Sequence, residues 1–414
     1  MDKILIVEDD KRLAQYIAKK IKTTIDCEVD IAYSLSEAKL FLKLYKYFVT
    51  LLDINLPDAP NGEVIDYVLN KDQKVIVISG NIDKEFRKKM LKKNIIDYIN
   101  KGSISDTKYI IETIKRLSNN TKHKVLVVDD SMVFRKQMGN FLKNLFFQVY
   151  TVAHGEEALE MLKTHPDISL VLTDYNMPVM DGLELVKNIR EEKGKDDLCI
   201  IALSGNNDEE ISALFLKLGA NDYINKPFSK EEFSCRINNS IEALENIQLI
   251  TNHANRDYLT GLYNRRYFFE NMYEYIEDVK DTNEKFAIAM VDIDAFKKIN
   301  DNYGHDAGDS VIVHLSEILR TNTNHRDLVA RFGGEEFCMV LKNINKFSAI
   351  DIAERLRVEA ESTVVYSDKK EAITFTVSIG IAVYENNLEE TIGQADMMLY
   401  KAKQNGRNQV VSDL

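Results

Sequence analysis

The chain has 414 residues, 45% of them hydrophobic and 29% charged, which suits two or three domains with buried cores and excludes a largely disordered protein. A formal charge of −12 disfavours a nucleic-acid polymer as partner, while an acidic excess suits the collection of divalent cations around carboxylates. Cys27, Cys199, Cys235 and Cys338 are far apart with no C-x-x-C pair, which argues against a zinc knuckle or a disulfide framework and for a reducing compartment. From its start the chain reads Met1-Asp2-Lys3-Ile4-Leu5-Ile6-Val7-Glu8-Asp9-Asp10, reaching acid too soon for a signal peptide, and no apolar run approaches the length of a membrane span. A cytoplasmic protein without membrane insertion is expected.

An internal repeat then organises the first half. Lys3-Ile-Leu-Ile-Val-Glu8-Asp9 returns as Lys124-Val-Leu-Val-Val-Asp129-Asp130, and Leu52-Asp53-Ile-Asn55-Leu-Pro57 returns as Thr173-Asp174-Tyr-Asn176-Met-Pro178, both at an offset of 121 residues. Val77-Ile-Ser79-Gly-Asn81 matches Ala202-Leu-Ser204-Gly-Asn206, and Asp97-Tyr98-Ile-Asn-Lys101 matches Asp222-Tyr223-Ile-Asn-Lys226, now offset by 125. A period this long is a duplicated domain rather than a solenoid. Short apolar runs bounded by acids or turn residues read as buried parallel strands, and amphipathic stretches such as residues 36–45 read as covering helices. Alternation of the two predicts a doubly wound sheet, which places functional residues at the C-terminal ends of its strands.

The acids fall at those ends: Glu8, Asp9 and Asp53 in the first copy, Asp129, Asp130 and Asp174 in the second. Carboxylates converging there repel unless a hard cation sits among them, and oxygen ligands suit magnesium. Ser79 and Ser204, with Lys101 and Lys226, set a hydroxyl and an ammonium opposite the acids, a grouping fit for phosphoryl transfer onto an aspartate. These residues resemble the receiver domains of two-component response regulators over residues 1–118 and 122–245. The resemblance implies phosphoacceptors at Asp53 and Asp174 and metal-binding acids at Glu8/Asp9 and Asp129/Asp130. It also implies metal contacts from the Asn55 and Asn176 carbonyls, and Tyr98 and Tyr223 as aromatic switches that swing when Ser79 or Ser204 engages a phosphoryl group. The second copy keeps Asp181-Gly182 and Lys226-Pro227 as the family pattern expects. The first has Lys101-Gly102 and one extra residue before Gly62, with Asn61 in the acidic position.

Ser229-Lys-Glu-Glu232 predicts a capping box that opens a helix, and Phe233, Ile237, Ile241, Leu244 and Ile247 continue it toward Thr251. Its apolar stripe suits receiver core, with a coiled-coil contact between protomers as the alternative. Residues 246–256 read as a helical linker, and a third domain is expected over residues 257–414.

In that domain Phe286-Ala-Ile-Ala-Met-Val-Asp292-Ile293-Asp294 reads as a strand ending in two acids. Arg331-Phe-Gly333-Gly334-Glu335-Glu336-Phe337 and the apolar residues after it read as strand, tight turn, strand. Acids on adjacent strands holding two divalent ions form the arrangement that moves a nucleotidyl group. Asp257-Tyr-Leu-Thr-Gly-Leu-Tyr-Asn-Arg-Arg266, Phe296-Lys-Lys-Ile-Asn-Asp301, Gly304-His-Asp-Ala-Gly-Asp309, Gly333-Gly-Glu-Glu-Phe337 and Tyr400-Lys-Ala-Lys-Gln-Asn-Gly-Arg-Asn408 resemble the GGDEF-domain diguanylate cyclases, over about residues 252–414. Glu335 replaces the aspartate of the family's name and keeps a carboxylate there. The whole chain resembles double-receiver diguanylate cyclases.

The resemblance implies an α/β chain of two flavodoxin-like receivers and a GGDEF domain of palm-like nucleotidyl cyclase fold. It implies condensation of two GTP into cyclic di-GMP and two pyrophosphates, by a homodimer assembled when a cognate histidine kinase or phosphotransfer protein phosphorylates the receivers. Asp292, the Ile293 carbonyl, Glu335 and Glu336 would hold magnesium, or manganese in its place, with Glu335 and Glu336 as the catalytic carboxylates. Asn300 and Asp309 would read guanine, while Phe296, Lys297, Lys403 and Arg407 would complete the GTP site. Blander roles suit other residues: His305 as a turn residue, Asp294 and Asp301 as caps or pairs, Asp257 and Arg331 as a salt bridge. Asn324-His-Arg-Asp327 lacks the first arginine of the family's Arg-x-x-Asp inhibitory site, with Arg326 two positions off, so that site is expected to be degenerate. A GTP-binding adaptor without turnover is the competing function, and a transcriptional regulator lacks a basic output segment.

Overall fold

The computed structural model describes residues 3–413 apart from 61, 81–92, 102–103, 206–208, 281 and 283. Met1, Asp2, Asn61, Asn81, Gly102 and Asn206 of the patterns above lie outside the described residues. The chain divides into two compact units, Met1–Gln248 and Leu249–Leu414.

The first unit contains two parallel sheets built alike. In one, Ile4–Val7, Val29–Ala32, Val49–Asp53, Val75–Ser79 and Asp97–Asn100 lie side by side in the sequential order 2-1-3-4-5. In the other, Lys124–Val128, Gln148–Val152, Ile168–Asp174, Cys199–Ser204 and Asp222–Asn225 take the same order. Inner strands such as Ile4–Val7 and Val75–Ser79 are buried throughout, because helices cover both faces and neither face can be polar. Ile4 and Ile6 face the helices Lys11–Thr24 and Ile104–Asn120; Leu5 and Val7 face Leu35–Leu44 and Glu63–Leu69.

The two receiver cores join. One continuous apolar cluster runs from Ile17, Ile21 and Ile114 of the first copy to Phe141, Leu145 and Ile241 of the second. The Phe48 and Phe146 rings stack at 4.3 Å, and Lys74 Nζ donates to Asn144 Oδ1 at 2.9 Å. Glu245 accepts at one oxygen from Arg116 at 2.6 Å and lies 2.8 Å from His123 Nε2.

The helix opened at Ser229 spans Lys230–Asn255, and the Ser229 hydroxyl accepts from the Glu232 N–H at 3.0 Å. It therefore continues past Thr251, since no glycine or proline interrupts residues 230–255. Phe233, Ile237, Ile241 and Leu244 are buried in the receiver core, whereas Leu249 and Ile250 are exposed.

The second unit has a six-stranded sheet in the order Tyr263–Asn264, Leu328–Gly333, Glu336–Lys342, Phe286–Ile293, Val377–Val383, Val410–Ser412. Phe286–Ile293 is fully buried and antiparallel to both neighbours. His305–Asn322 and Lys346–Ser362 cover one face, Arg265–Val279 and Leu388–Gln404 the other. Gly380 admits the last of these helices: a Cβ there would meet Ala395 O and Leu399 N at 2.1 Å.

Candidate functional sites

In the first receiver, strand ends gather Glu8, Asp9 and Asp53. Glu8 and Asp53 are buried and Asp9 is exposed, yet one carboxylate oxygen from each lies within 4.8 Å of the others. Three hard oxygen donors at that separation fit a divalent cation. Lys101, one residue beyond the strand Asp97–Asn100, reaches both Glu8 oxygens at 2.9 Å and Asp53 Oδ2 at 2.7 Å. The ammonium expected to stand opposite the acids thus bridges them. Burial pushes the Glu8 carboxyl above the ordinary range and the nearby Asp53 charge adds to this, both opposed by Lys101. Lys101 itself is raised: burial lowers it, but the hydrogen bonds to Asp53 and Glu8 outweigh that. Ser79 and Tyr98 are buried beside this edge, and Asn55 is exposed.

The second receiver repeats the bridge. Lys226 Nζ lies 2.8 Å from Asp129 Oδ2 and 2.7 Å from Asp174 Oδ1, with the Phe134 ring beneath it at 3.8 Å. Asp129 is buried, Asp174 partly so, and Asp130 and Asn176 are exposed. Burial raises the Asp174 carboxyl and Asp129 adds to it, against Lys226. Ser204 and Tyr223 are buried, Tyr223 against Phe215. Gly182 seats the loop after Asp174, since a Cβ there would stand 2.1 Å from the Asp174 carbonyl oxygen.

The third site lies on the central strands of the second unit. Asp292 and Glu336 are cross-strand partners, and Gly333 pairs with Glu336 across the turn that carries Gly334 and Glu335. Gly334 takes φ 53°, and its carbonyl is clasped by Arg331 Nε and Nη2 at 2.9 and 2.7 Å. Arg331 Nη1 pairs with Asp257 at 2.9 Å, the expected salt bridge. Asp292 is buried, and Lys403 from the helix Leu388–Gln404 donates to it at 2.8 Å. Burial pushes the Asp292 carboxyl up to about 6, Lys403 opposing and Glu335 and Glu336 reinforcing. Ile293 is buried on the same strand, Glu335 is half-buried and Glu336 exposed.

Beside these strands the helix Phe296–Tyr303 carries Phe296, exposed Lys297 and half-buried Asn300. Asp309, in the first turns of His305–Asn322, is exposed, as are His305, Asp301 and Arg407. Asn300 Oδ1 is buried without a hydrogen-bond partner among the described residues. A Cβ on Gly308 would stand 1.9 Å from that oxygen and 3.1 Å from Phe296 Cζ, so the amide occupies the space a side chain would take. The motif contains Gly308, but spacing alone assigns it no task.

Asp294 is buried and engaged at both oxygens, accepting from Ser378 Oγ and Thr376 Oγ1 at 2.7 Å and from the Asn408 N–H at 3.0 Å. Asp327 accepts from the N–H groups of Asn324 and Lys342 at 2.9 Å each, while Asn324 is exposed. In this structure Asp327 fastens a turn. No described helix is long and apolar enough to cross a membrane.

Comparison with known proteins follows the same division. The response regulator receiver domain model matches residues 4–115 and 125–238, and the model of the diguanylate cyclase, GGDEF domain matches 254–409. Response regulator PleD of Caulobacter vibrioides is 28% identical over 299 residues, covering 70% of this chain and 65% of its own. Diguanylate cyclase A of Treponema denticola is 36% identical over 242 residues, covering 55% of this chain and 64% of its own. The chain thus spans just under two thirds of the length of these curated relatives. A crystal structure of a two-component system response regulator/GGDEF domain protein aligns with a TM-score of 0.54 at 37% identity, over 59% of this chain and 100% of that one. The chain belongs to the response-regulator family, with two receiver domains followed by a diguanylate cyclase, GGDEF domain.

Proposed function

We propose that this protein is a diguanylate cyclase switched by phosphorylation of its receivers, joining two GTP into cyclic di-GMP with release of two pyrophosphates. The observation that carries the reading is the cross-strand pair Asp292 and Glu336, set beside the Gly333-Gly334 turn with Lys403 on Asp292. Asp292, the Ile293 carbonyl, Glu335 and Glu336 would hold magnesium, which would supply charge stabilisation for the transferring phosphoryl and acidify the attacking hydroxyl. Glu335 and Glu336 accept the proton of the 3′-hydroxyl as its oxygen bonds to the α-phosphorus of the facing nucleotide. The bond to pyrophosphate then breaks. Lys297, Lys403 and Arg407 balance the triphosphate charge, Asn300 and Asp309 read the guanine edge, and Phe296 completes the GTP site.

Each GGDEF domain takes one GTP, so two bonds require two domains face to face, and a homodimer is part of the chemistry. Phosphorylation at Asp53 or Asp174 by a histidine kinase or phosphotransfer protein raises the local concentration of one loaded domain around the other. The domains in this reading are residues 1–118, 122–245 and 257–414, with 246–256 as linker, in a cytoplasmic protein that needs no nucleic-acid polymer.

Purified protein incubated with GTP and magnesium, with and without beryllofluoride, is expected to form cyclic di-GMP, faster with the phosphoryl mimic. Glu336→Gln should abolish product while leaving the fold intact. GTP binding without product under either condition supports a non-catalytic adaptor instead.

A further inference from the structure

We infer that Asp294, two residues beyond the metal-binding strand position Asp292, is the positioning residue of the triphosphate arm and not another metal ligand. The inference rests on the GTP reading above. A D-x-D pair at a strand end invites the view that both acids serve the cation. The geometry divides them.

Asp294 spends its oxygens inward, on Ser378 Oγ, Thr376 Oγ1 and the Asn408 N–H, while its own N–H donates to Thr376 O at 2.9 Å. That last side-chain contact reaches the turn after the helix Leu388–Gln404, the segment that presents Arg407. Gly406, Arg407 and Asn408 all take positive φ, at 113°, 64° and 46°. Two successive non-glycine residues in that region persist only where surrounding contacts over-determine them.

Such contacts surround this turn. Arg407 N donates to Ala402 O at 3.0 Å, and Gln409 O accepts from Ile379 N at 3.0 Å. Asn408 Oδ1 accepts from Arg357 at 2.9 Å, and its amide nitrogen donates to Glu361 at 2.9 Å. Asp294 is the buried anchor of this set and ties it to the strand that carries Asp292. Without it, the residues at 407 and 408 are free to relax toward extended backbone, which carries the Arg407 guanidinium away from the phosphates.

The side chain that substitutes for Asp294 decides between positioning and metal binding. In Asp294→Asn an amide oxygen can still accept from Thr376 and Asn408, and the Ser378 hydroxyl can turn to accept from the new amide. A positioning role survives that change, whereas a metal ligand loses its charge. The experiment measures magnesium-dependent binding of 3′-deoxy-GTP, which lacks the attacking hydroxyl, and of GMP, by calorimetry on the full chain. D294A is expected to weaken 3′-deoxy-GTP roughly tenfold and GMP far less, with D294N within about threefold of the parent, as loss or retention of one or two hydrogen bonds dictates.

Asn408→Ala, which cuts the same turn from Arg357 and Glu361, is expected to reproduce the phosphate-selective loss and stands in if D294A does not fold. D294N as damaging as D294A, or parental 3′-deoxy-GTP affinity in D294A or, failing its folding, in Asn408→Ala, overturns the proposal. A parent that does not bind 3′-deoxy-GTP overturns the GTP reading as well, so the two failures are distinct.

Discussion

Gly308→Ala puts one methyl group where the structure has placed an amide. The new Cβ would stand 1.9 Å from Asn300 Oδ1, a separation real Cβ atoms do not show below 3.0 Å, so the oxygen must retreat by about 1.1 Å or more. Phe296 Cζ at 3.1 Å closes one way out, though it can give by a few tenths of an ångström. Because the obstacle is a side-chain end and not backbone, the cost falls toward the low side of the overpacking range, about 1–2 kcal/mol. The larger effect is expected on the ligand. On the proposed GTP reading Asn300 meets the base, and a displaced amide loses that hydrogen bond, worth roughly three- to tenfold in affinity.

Binding of 3′-deoxy-GTP by calorimetry and unfolding in urea measure the two effects. The double variant Asn300→Ala/Gly308→Ala separates them, because removing the amide removes the clash. It should regain stability relative to Gly308→Ala while binding no better than Asn300→Ala. Strict additivity of the two stability losses, or parental stability and affinity in Gly308→Ala, refutes the packing argument; an unaffected Asn300→Ala refutes the base contact alone.

Gly380→Ala meets backbone on both sides, Ala395 O and Leu399 N, which cannot swing away. It should destabilise the second unit by about 3 kcal/mol or more, read as a lowered calorimetric midpoint. Lys101→Met leaves buried Glu8 and Asp53 without their counter-ion and should cost about 3 kcal/mol at neutral pH. The Glu8 carboxyl, already raised by burial and now without the opposing lysine, binds a proton more readily folded than unfolded, so the deficit shrinks as pH falls toward about 4; a deficit that does not change with pH contradicts the assignment. Burial works to raise Asp257, but the Arg331 and Thr260 hydrogen bonds win and hold its carboxyl below the usual range. Its contribution to stability is therefore complete above the unfolded value near ~4 and lost as pH falls through the folded one. Asp257→Asn should flatten that part of the acid unfolding curve.

How far the sequence reaches depends on the range of each interaction. The receiver strands are legible because buried parallel strands must be apolar on both faces, as in Ile4–Val7 and Val125–Val128, and because each ends where an acid begins. Glu8, Asp53, Asp129, Asp174, Asp292 and Glu336 are legible for the same reason: a charge at a strand end has no packing motive. What each acid touches is not. Lys403 reaches Asp292 only because Gly380 lets a helix settle on the central sheet, a consequence of two distant segments packing. Asp294 draws partners from Thr376, Ser378 and Asn408, and no local pattern specifies them. The joined receiver cores leave no periodic signal either, since Phe48 and Phe146 belong to separate repeats.

The three sites share one electrostatic device and differ in how far it goes. Lys101 and Lys226 each bridge two carboxylates, so each receiver keeps one of its two inner negative charges uncompensated. Lys403 meets Asp292 alone, and Glu335 and Glu336 act on Asp292 as like charges, with no salt-bridge partner of their own among the described residues. By Coulomb's law the surplus of negative charge is then larger at the third site: burial does most to push the Asp292 carboxyl up to about 6, and the like charges of Glu335 and Glu336 add to it against Lys403. The same surplus that weakens the fold there is the charge a triphosphate must not meet bare. Lysine alone therefore bridges the receivers' inner acids, whereas on the proposed reading nucleotide binding at Asp292 is expected to depend steeply on divalent cation. Titrating magnesium at fixed 3′-deoxy-GTP tests this, and binding undiminished in excess chelator would falsify it.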